Sequence, residues 1–265
     1  MTSKLKPIFK DNKAFIPFVV TNDPDFESTV NNVVALAEGG ADIVELGLPF
    51  SDPVADGPVI QAADIRALKA DPDISTDTFF DIVEAIRKET QVPLVFLTYL
   101  NIPFQYGYEK FCARCEALGV DGLVIPDLPV EERGEIDPFA AKHGIDIIPL
   151  VTPTSASRIE KIVSKATGFI YVVSSLGVTG ERSKFADDLS ELVTRIRTVT
   201  DVPTAIGFGI HTPEQAAEMT SIADGAIVGS ACVNLVAEYG NQAPQKLTDY
   251  TKQMKTAIAG QTSKA

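Results

Sequence analysis

Two carboxyl side chains, those of Glu45 and Asp56, are the groups in this sequence best suited to acid/base chemistry. Glu45 lies between Val44 and Leu46, in a short apolar run typical of a buried strand. An ionised carboxylate among apolar neighbours is costly unless it is paired, so an unpaired Glu45 would respond with a raised pKa. Such a group transfers protons near neutral pH. The alternative is a strand-end glutamate satisfied by a buried arginine or by backbone N–H groups, and Glu45 alone leaves both interpretations open.

The loop that follows Glu45 favours the catalytic interpretation. It contains Pro49, Pro53 and Pro58, which predict a shaped loop, and it carries Asp56 eleven residues after Glu45. A fold-back of this loop would bring the two carboxyl groups into one pocket. Loops of about a dozen residues in compact domains are usually functional or disordered. An aspartate in a loop is more often a turn-former or a helix cap, and Asp56 taken alone keeps that alternative.

Three glycine-rich loops predict a phosphate site. They are the segments 177–180 and 207–210 and the pair Gly229 and Ser230, each following an apolar run. Glycines let the backbone approach a phosphate closely, and a helix that begins at Ser230 would direct free N–H groups and its positive dipole end toward the anion. The alternative is that these glycines only form tight turns. Three such loops at neighbouring strand ends favour phosphate binding.

The residue types missing from the predicted strands argue against several kinds of catalysis. Every lysine lies outside them, which argues against a Schiff-base mechanism. His143 and His211 are the only histidines, and they cannot form a metal cluster with the dispersed cysteines. Cys112 and Cys115 lie within a predicted helix, where buried packing explains them better than redox chemistry. The chemistry that these absences leave open is metal-free acid/base catalysis on a phosphorylated substrate. Tyr171, within a predicted strand, is either a further hydrogen-bond donor or a structural residue.

The amino-acid composition limits the classes of protein to which the chain can belong. A chain of 265 residues that is 45% hydrophobic and 22% charged suits one large α/β domain or two small ones. Its formal net charge of −13 argues against nucleic acid or an anionic membrane as a partner. Three cysteines provide no disulfide framework, the first residues lack an apolar signal region, and no apolar stretch approaches the roughly 20 residues that span a bilayer. We therefore expect a cytoplasmic protein.

Strand-like apolar runs alternate with helical stretches along the whole chain and would position these groups. Eight βα units in about 250 residues are typical of a (β/α)8 barrel, whose parallel strands form continuous apolar runs. A doubly wound open sheet is the alternative, but the turn after the first run lacks a glycine-rich fingerprint. We predict an α/β fold with one TIM-barrel domain over 1–265, comprising a short N-terminal helix, the barrel at about 14–258 and a polar tail at 260–265. The predicted strands are 14–21, 42–47, 93–99, 122–126, 146–152, 169–174, 203–209 and 225–229, and the predicted helices are 25–39, 60–69, 76–88, 108–118, 131–143, 155–166, 185–199, 212–221 and one from Ser230.

The run from Glu45 to Gln61, ELGLPFSDPVADGPVIQ, resembles the signature of the tryptophan synthase alpha subunits. Its length and its Glu-to-Asp spacing make the match specific. The resemblance extends from Phe15 to about Ala237, through the motifs RAL at 66–68, YLN at 99–101, YG at 106–107, PDLP at 126–129, YVVS at 171–174, GVTG at 177–180, GFGI at 207–210 and GS at 229–230. One departure is the segment 69–73, KADPD, where family members often carry a glycine and a shorter link; it puts only local loop geometry in doubt.

The resemblance implies cleavage of indole-3-glycerol phosphate into indole and glyceraldehyde 3-phosphate. It implies that Glu45 protonates the indole carbon and takes the glycerol hydroxyl proton. Asp56 would accept a hydrogen bond from the indole nitrogen and stabilise the charge that develops on the ring, while Tyr171 would support the site. The residues implied to bind phosphate are Gly180, Gly209, Gly229 and Ser230, and those implied to line the indole pocket are Phe18, Leu97 and Phe208.

The resemblance also implies a partner. Alpha subunits pair with a beta subunit that carries pyridoxal phosphate, commonly as an αββα complex, so no cofactor is expected in this chain. The loops with Asp52, Pro53 and Pro129 would contact the beta subunit, and the loop from Gly177 to Lys184 would close over substrate.

Three alternatives to the alpha-subunit interpretation stay open. The first is a stand-alone indole-glycerol-phosphate lyase with the same site. The second is a non-catalytic regulatory subunit of a beta partner. The presence of both Glu45 and Asp56 argues against it. The third is another phosphate-binding barrel, such as an isomerase, which would not require this carboxyl spacing.

Overall fold

A computed structural model describes residues 3–174, 182–207 and 209–259 of the chain. Its strands form one parallel sheet of nine segments in the order β5-β4-β3-β2-β1-β9-β8-β7-β6. The segments are β1 (Ala14–Val20), β2 (Val44–Gly47), β3 (Leu94–Leu97), β4 (Val120–Val124), β5 (Asp146–Ile148), β6 (Leu150–Val151), β7 (Ile170–Val173), β8 (Thr204–Gly207) and β9 (Gly225–Val228).

The two ends of this sheet, β5 and β6, are separated in the sequence only by Pro149. β5 pairs with β4, and β6 pairs with β7. Proline has no N–H to donate to a ladder, which divides the predicted strand 146–152 into two segments. The Pro149 carbonyl still accepts a hydrogen bond of 3.0 Å from the Tyr171 N–H. The chain itself thus joins the ends of the sheet, so the predicted TIM barrel is confirmed and the open doubly wound sheet is wrong.

Helices surround the barrel. No helix among the described residues is long and apolar enough to cross a membrane. The predicted N-terminal helix is a 3-10 helix (Lys6–Phe9), and further 3-10 helices span Arg133–Glu135, Pro153–Arg158 and Gly240–Gln242. The α-helices are α1 (Phe26–Gly39), α2 (Pro58–Ala70), α3 (Thr76–Glu89), α4 (Asn101–Tyr106), α5 (Tyr108–Leu118), α6 (Asp137–Lys142), α7 (Ile159–Val163), α8 (Arg182–Arg197), α9 (Pro213–Ile222), α10 (Ser230–Tyr239) and α11 (Ala243–Ala259).

Local sequence explains the helix boundaries that were predicted well. The Asp25 side chain caps α1 by accepting a hydrogen bond of 2.7 Å from the Ser28 N–H, and Gly40 ends the helix with a φ of 96°. Ser75 and Thr78 form a capping box at the start of α3. These signals lie within a few residues of the boundary, so the sequence alone contains them.

Two predicted helices are shorter than expected. The helix predicted over 131–143 is a 3-10 turn followed by α6, because Pro138 has no N–H and its ring clashes with the preceding turn, so it fits only near a helix start. The helix predicted over 155–166 is replaced by a 3-10 helix and the short α7. There the side chains of Thr152 and Ser155 bond to backbone groups and start the turn at Pro153. α4 was not predicted, and β4 begins two residues before its predicted start at 122.

The pleat of β2 divides its side chains between the two layers of the core. Val44 and Leu46 pack in the large cluster between sheet and helices, whereas Ile43, the residue just before β2, packs in the cluster that fills the barrel interior. Successive strand side chains point to opposite faces, so Glu45 points inward with Ile43. It is in register with Phe18 on β1 and Val95 on β3.

Arg87 connects the ends of two helices and is expected to contribute to stability. Its guanidinium donates to the carbonyls of Leu118 at 3.0 Å, Gly119 at 2.6 Å and Val92 at 2.7 Å. The lysine of Arg87→Lys cannot reproduce this fork, so the free energy of unfolding should fall by about 1–3 kcal/mol. Urea denaturation checks this, with the exposed Arg195→Lys as the control. Equal stability of the two variants would contradict the assignment.

Candidate active site

Glu45 is a buried carboxyl group at the heart of the candidate site. Its side chain is inside the barrel, and the residue is only 2% exposed. Burial, followed by the nearby charge of Asp56, raises its pKa to about 8. Its Oε1 atom has no hydrogen-bond partner within the described part of the chain. Glu45 is therefore protonated at neutral pH and can act as a proton donor.

The loop after Glu45 folds back, as predicted, and brings Asp56 close enough for its charge to raise the pKa of Glu45. The Asp56 Oδ2 atom accepts a hydrogen bond of 2.8 Å from the Tyr99 hydroxyl, and its backbone carbonyl accepts one of 2.8 Å from Gln61 Nε2. Burial raises the pKa of Asp56, and the hydrogen bond from Tyr99 opposes that rise. The pair thus combines a neutral acid at Glu45 with a carboxyl that a donor helps to keep ionised.

Tyr171, on β7, reaches the same pair of carboxyl groups. Burial raises its pKa well above the usual range, and the charges of Glu45 and Asp56 add to that rise, so its hydroxyl stays a hydrogen-bond donor. Its ring occupies space left by Gly207 on the neighbouring strand. A Cβ atom added at Gly207 would lie 2.5 Å from the Tyr171 hydroxyl oxygen. The small residue on β8 therefore makes room for the phenol.

Phe18 and Leu97 form an apolar wall beside the carboxyl groups. Phe18 is 4% exposed, and a Cβ atom at Gly47 would lie 2.5 Å from its Cζ atom. Leu97 packs both against the cluster that contains Phe18 and against the cluster that contains Tyr171. Two of the three predicted pocket residues are therefore adjacent to the site, and the third, Phe208, lies outside the described residues.

The predicted phosphate residues follow neighbouring strands. Gly209 has a left-handed φ of 82°, which a residue with a side chain adopts only with strain. Gly229 precedes α10, whose first residue is the exposed Ser230 and whose start has no side-chain cap. Uncapped N–H groups at a helix start suit an anion. Gly180, the fourth predicted residue, is outside the described residues.

The structure adds residues that were not predicted as site residues. Tyr99 is 2% exposed and contacts Asp56. Asp64 on α2 is 4% exposed, and burial, followed by the charges of Asp56 and Asp23, raises its pKa to about 7. The position of Asp64 between Ala63 and Ile65, in an otherwise apolar part of a predicted helix, was a signal for it, but this signal did not show which way the side chain faces.

The described residues contain no candidate metal site. No group of three His, Cys, Asp or Glu residues there could hold a metal ion. Cys112 and Cys115 are buried on α5, as predicted, and burial raises the pKa of Cys112 to about 12. His143 lies at the end of α6 and contacts Glu109 and Glu116 of α5. His143 is distant from the carboxyl pair in the sequence, and its contacts connect α6 to α5.

The predicted partner-contact residues lie at the surface. Asp52 is exposed and accepts a hydrogen bond of 2.6 Å from Ser51, Pro53 is half-buried, and Pro129 is exposed. Val54 is 85% exposed on the same loop, and Phe104 on α4 is 58% exposed.

Comparison with known proteins identifies the family. A family model described as tryptophan synthase alpha chain matches residues 6–261. Tryptophan synthase alpha chains from Lacticaseibacillus casei and Lactiplantibacillus plantarum are 66% and 56% identical, over 97% and 98% of this chain and 96% and 97% of theirs. The crystal structure of tryptophan synthase subunit alpha from Legionella pneumophila aligns with a TM-score of 0.87 at 34% identity, covering 97% of this chain and 99% of that one. The chain, a TIM barrel with a buried carboxyl pair, therefore belongs to the tryptophan synthase alpha chain family of amino-acid-biosynthetic lyases.

Proposed function

We propose that this chain cleaves indole-3-glycerol phosphate into indole and glyceraldehyde 3-phosphate by carboxylate acid/base catalysis. The observation that carries the proposal is the pair formed by Glu45 and Asp56 inside the barrel. One member is buried with a pKa of about 8, and the other accepts a hydrogen bond from a phenol. Two carboxyl groups whose environments separate their pKa values can take the acid and the anion roles of one reaction.

Glu45 supplies and recovers one proton. In its neutral form it protonates the indole carbon that bears the glycerol chain, which leaves a cationic ring and an ionised Glu45. The carboxylate then takes the proton of the adjacent glycerol hydroxyl. The carbon–carbon bond breaks as the new carbonyl forms, and its electron pair returns to the ring. Glu45 is neutral again, and no co-reactant is required.

Asp56 and Tyr171 stabilise the charge that this proton transfer creates. An ionised Asp56 accepts a hydrogen bond from the indole nitrogen and attracts the positive ring, and a fixed carboxylate in a buried site does this without reorganisation. Tyr171 donates its hydroxyl proton toward the carboxyl groups, since the raised pKa keeps the phenol neutral. Phe18, Leu97 and Phe208 hold the indole ring.

The phosphate of the substrate binds through backbone N–H groups. The start of α10 at Ser230, preceded by Gly229, supports this assignment together with the left-handed turn at Gly209. Gly180 is the fourth member of the proposed set. Binding through backbone groups suits a chain with a net charge of −13, because it does not depend on basic side chains.

Membership of the alpha-chain family implies a beta-subunit partner. We propose an αββα heterotetramer in which Asp52, Pro53 and Pro129 contact the beta subunit, supported by the exposure of Asp52, of Pro129 and of Val54 on the same loop as Asp52. Pyridoxal phosphate then belongs to the partner, and this chain has no cofactor of its own. A cytoplasmic location is part of the proposal, supported by the three free, buried cysteines.

Release of indole from indole-3-glycerol phosphate tests this function. The purified chain should release indole slowly alone and faster with a tryptophan synthase beta subunit. High activity without a partner would instead indicate a stand-alone lyase. Absence of indole in both conditions would reject the proposed reaction and leave a regulatory subunit or a barrel for another phosphorylated substrate.

A further inference from the structure

Tyr99 makes two hydrogen bonds to the loop that carries Asp56. Its hydroxyl donates to Asp56 Oδ2 at 2.8 Å and accepts from the Ala55 N–H at 2.9 Å. Its ring stacks on Phe50, at the other end of the same loop, with the ring centroids 5.1 Å apart. Tyr99 itself follows β3, and the residue is 2% exposed. One side chain on the rigid barrel therefore contacts the loop at both ends.

The two hydrogen bonds fix the direction of the Asp56 carboxyl group. Because the phenol accepts from Ala55, its single proton is directed to Asp56. A donor that faces one oxygen of a carboxylate favours its ionised form and leaves the second oxygen free. Within the described part of the chain, the other ionisable groups that interact with Asp56 are Glu45, Asp64 and Tyr171, and none of them is a cation. Arg66, on the same helix as Asp64, is held by Asp23 through bonds of 2.8 and 2.7 Å.

We propose that Tyr99 is a positioning residue for catalysis, which orients Asp56 toward the indole nitrogen and keeps that carboxyl group in the anionic state the reaction needs. Tyr99 acts through Asp56 and does not itself touch the substrate. Its ring fixes the loop, and its hydroxyl fixes the carboxylate. Loss of the hydroxyl should therefore affect turnover more than substrate affinity, because groups fixed before reaction mainly stabilise the transition state.

The test compares Tyr99→Phe with Tyr106→Phe in the complex with a beta subunit. Tyr99→Phe removes the hydroxyl and keeps the ring that stacks on Phe50. Tyr106 also donates to an aspartate, Asp77, at 2.5 Å, but at the exposed surface, so Tyr106→Phe removes a similar bond away from the site. For Tyr99→Phe we expect kcat at neutral pH to fall by about tenfold with KM changed less than about twofold. The acid limb of kcat should move to higher pH, because Asp56 loses its donor, while Tyr106→Phe changes neither quantity.

A second measurement keeps the inference separate from the proposed reaction, on which its catalytic part rests. The titration of Asp56 is followed by carbon NMR in the free chain and assigned with Asp56→Asn. Tyr99→Phe should raise the pKa of Asp56, whether or not indole is released. An unchanged Asp56 titration, or an acid limb that does not move while the rate falls, would overturn the inference and leave Tyr99 as a packing residue. Absence of indole release from the parent chain would instead reject the reaction.

Discussion

Replacement of Glu45 by glutamine is expected to abolish cleavage, with kcat lower by about a thousandfold or more. The glutamine keeps the size of the side chain but has no proton to give to the indole carbon and no anion to take the hydroxyl proton. Glu45 is the proposed agent of both transfers, so neither half of the reaction proceeds. The phosphate residues lie on other strands, so binding of a phosphate-bearing ligand should remain largely intact.

Indole release and ligand binding together check this prediction. Glu84→Gln, an exposed substitution of the same type on α3, is the matched control and should leave both unchanged. Binding of glyceraldehyde 3-phosphate to Glu45→Gln, measured by calorimetry, separates loss of chemistry from loss of the site. Full retained activity in Glu45→Gln would disprove the catalytic role of Glu45.

The same substitution should change the pH dependence of stability. The folded-state pKa of Glu45, about 8, lies above the ordinary value of 4.5. Between these values the native state holds a proton that the unfolded state has lost, so the carboxyl group lowers stability as pH rises, by at most about 1.4 kcal/mol per pH unit. Glutamine does not titrate. Urea denaturation from pH 5 to 8 should therefore show Glu45→Gln gaining stability relative to the parent chain as pH rises. A constant difference would mean that Glu45 is not neutral in the native state.

The parts of the fold that sequence predicts well depend on short segments. Each apolar run forms a strand because its neighbours are turn-formers, and α1 begins and ends at Asp25 and Gly40, whose local conformations cap it. Glu45 could be identified because a carboxyl group interrupts such a run. Asp56 could be identified because it lies on the proline-rich loop that follows Glu45, eleven residues after that carboxyl group. Each of these signals lies within about a dozen residues of the feature it predicts.

The contacts that complete the site depend on residues far apart in the chain. Tyr99 contacts Asp56, which lies 43 positions earlier in the sequence, and nothing beside Tyr99 indicates this partner. Asp64 is buried because of how α2 packs on the barrel, which its own alanine-rich surroundings do not specify. The split of the predicted helix 131–143 was in principle visible at Pro138, since the penalty for an interior proline is local. The contact between Tyr99 and Asp56 and the burial of Asp64 depend on tertiary packing rather than on local propensity.

Replacement of Gly47 by alanine is expected to disrupt the apolar pocket while leaving the carboxyl groups in the chain. The new Cβ atom would lie 2.5 and 2.7 Å from Cζ and Cε2 of Phe18. The Phe18 ring must therefore shift within the pocket. We expect KM to rise by at least about tenfold, and the free energy of unfolding to fall by about 1–3 kcal/mol.

A glycine at the end of the loop that follows β2 provides the control for this prediction. A Cβ atom at Gly57 meets nothing within 4 Å, so Gly57→Ala should bind substrate and unfold as the parent chain does. The double variant Gly47→Ala with Phe18→Leu tests the cause, because a smaller side chain at position 18 relieves the overlap. Its KM should be lower than that of Gly47→Ala alone, which is a coupling between neighbouring residues that additive effects cannot produce. Indole-release kinetics on the parent chain, the single variants Gly47→Ala and Phe18→Leu, and the double variant decide the matter. If the two substitutions simply add, the Phe18 ring is not what the alanine displaces, and the pocket wall must be assigned elsewhere.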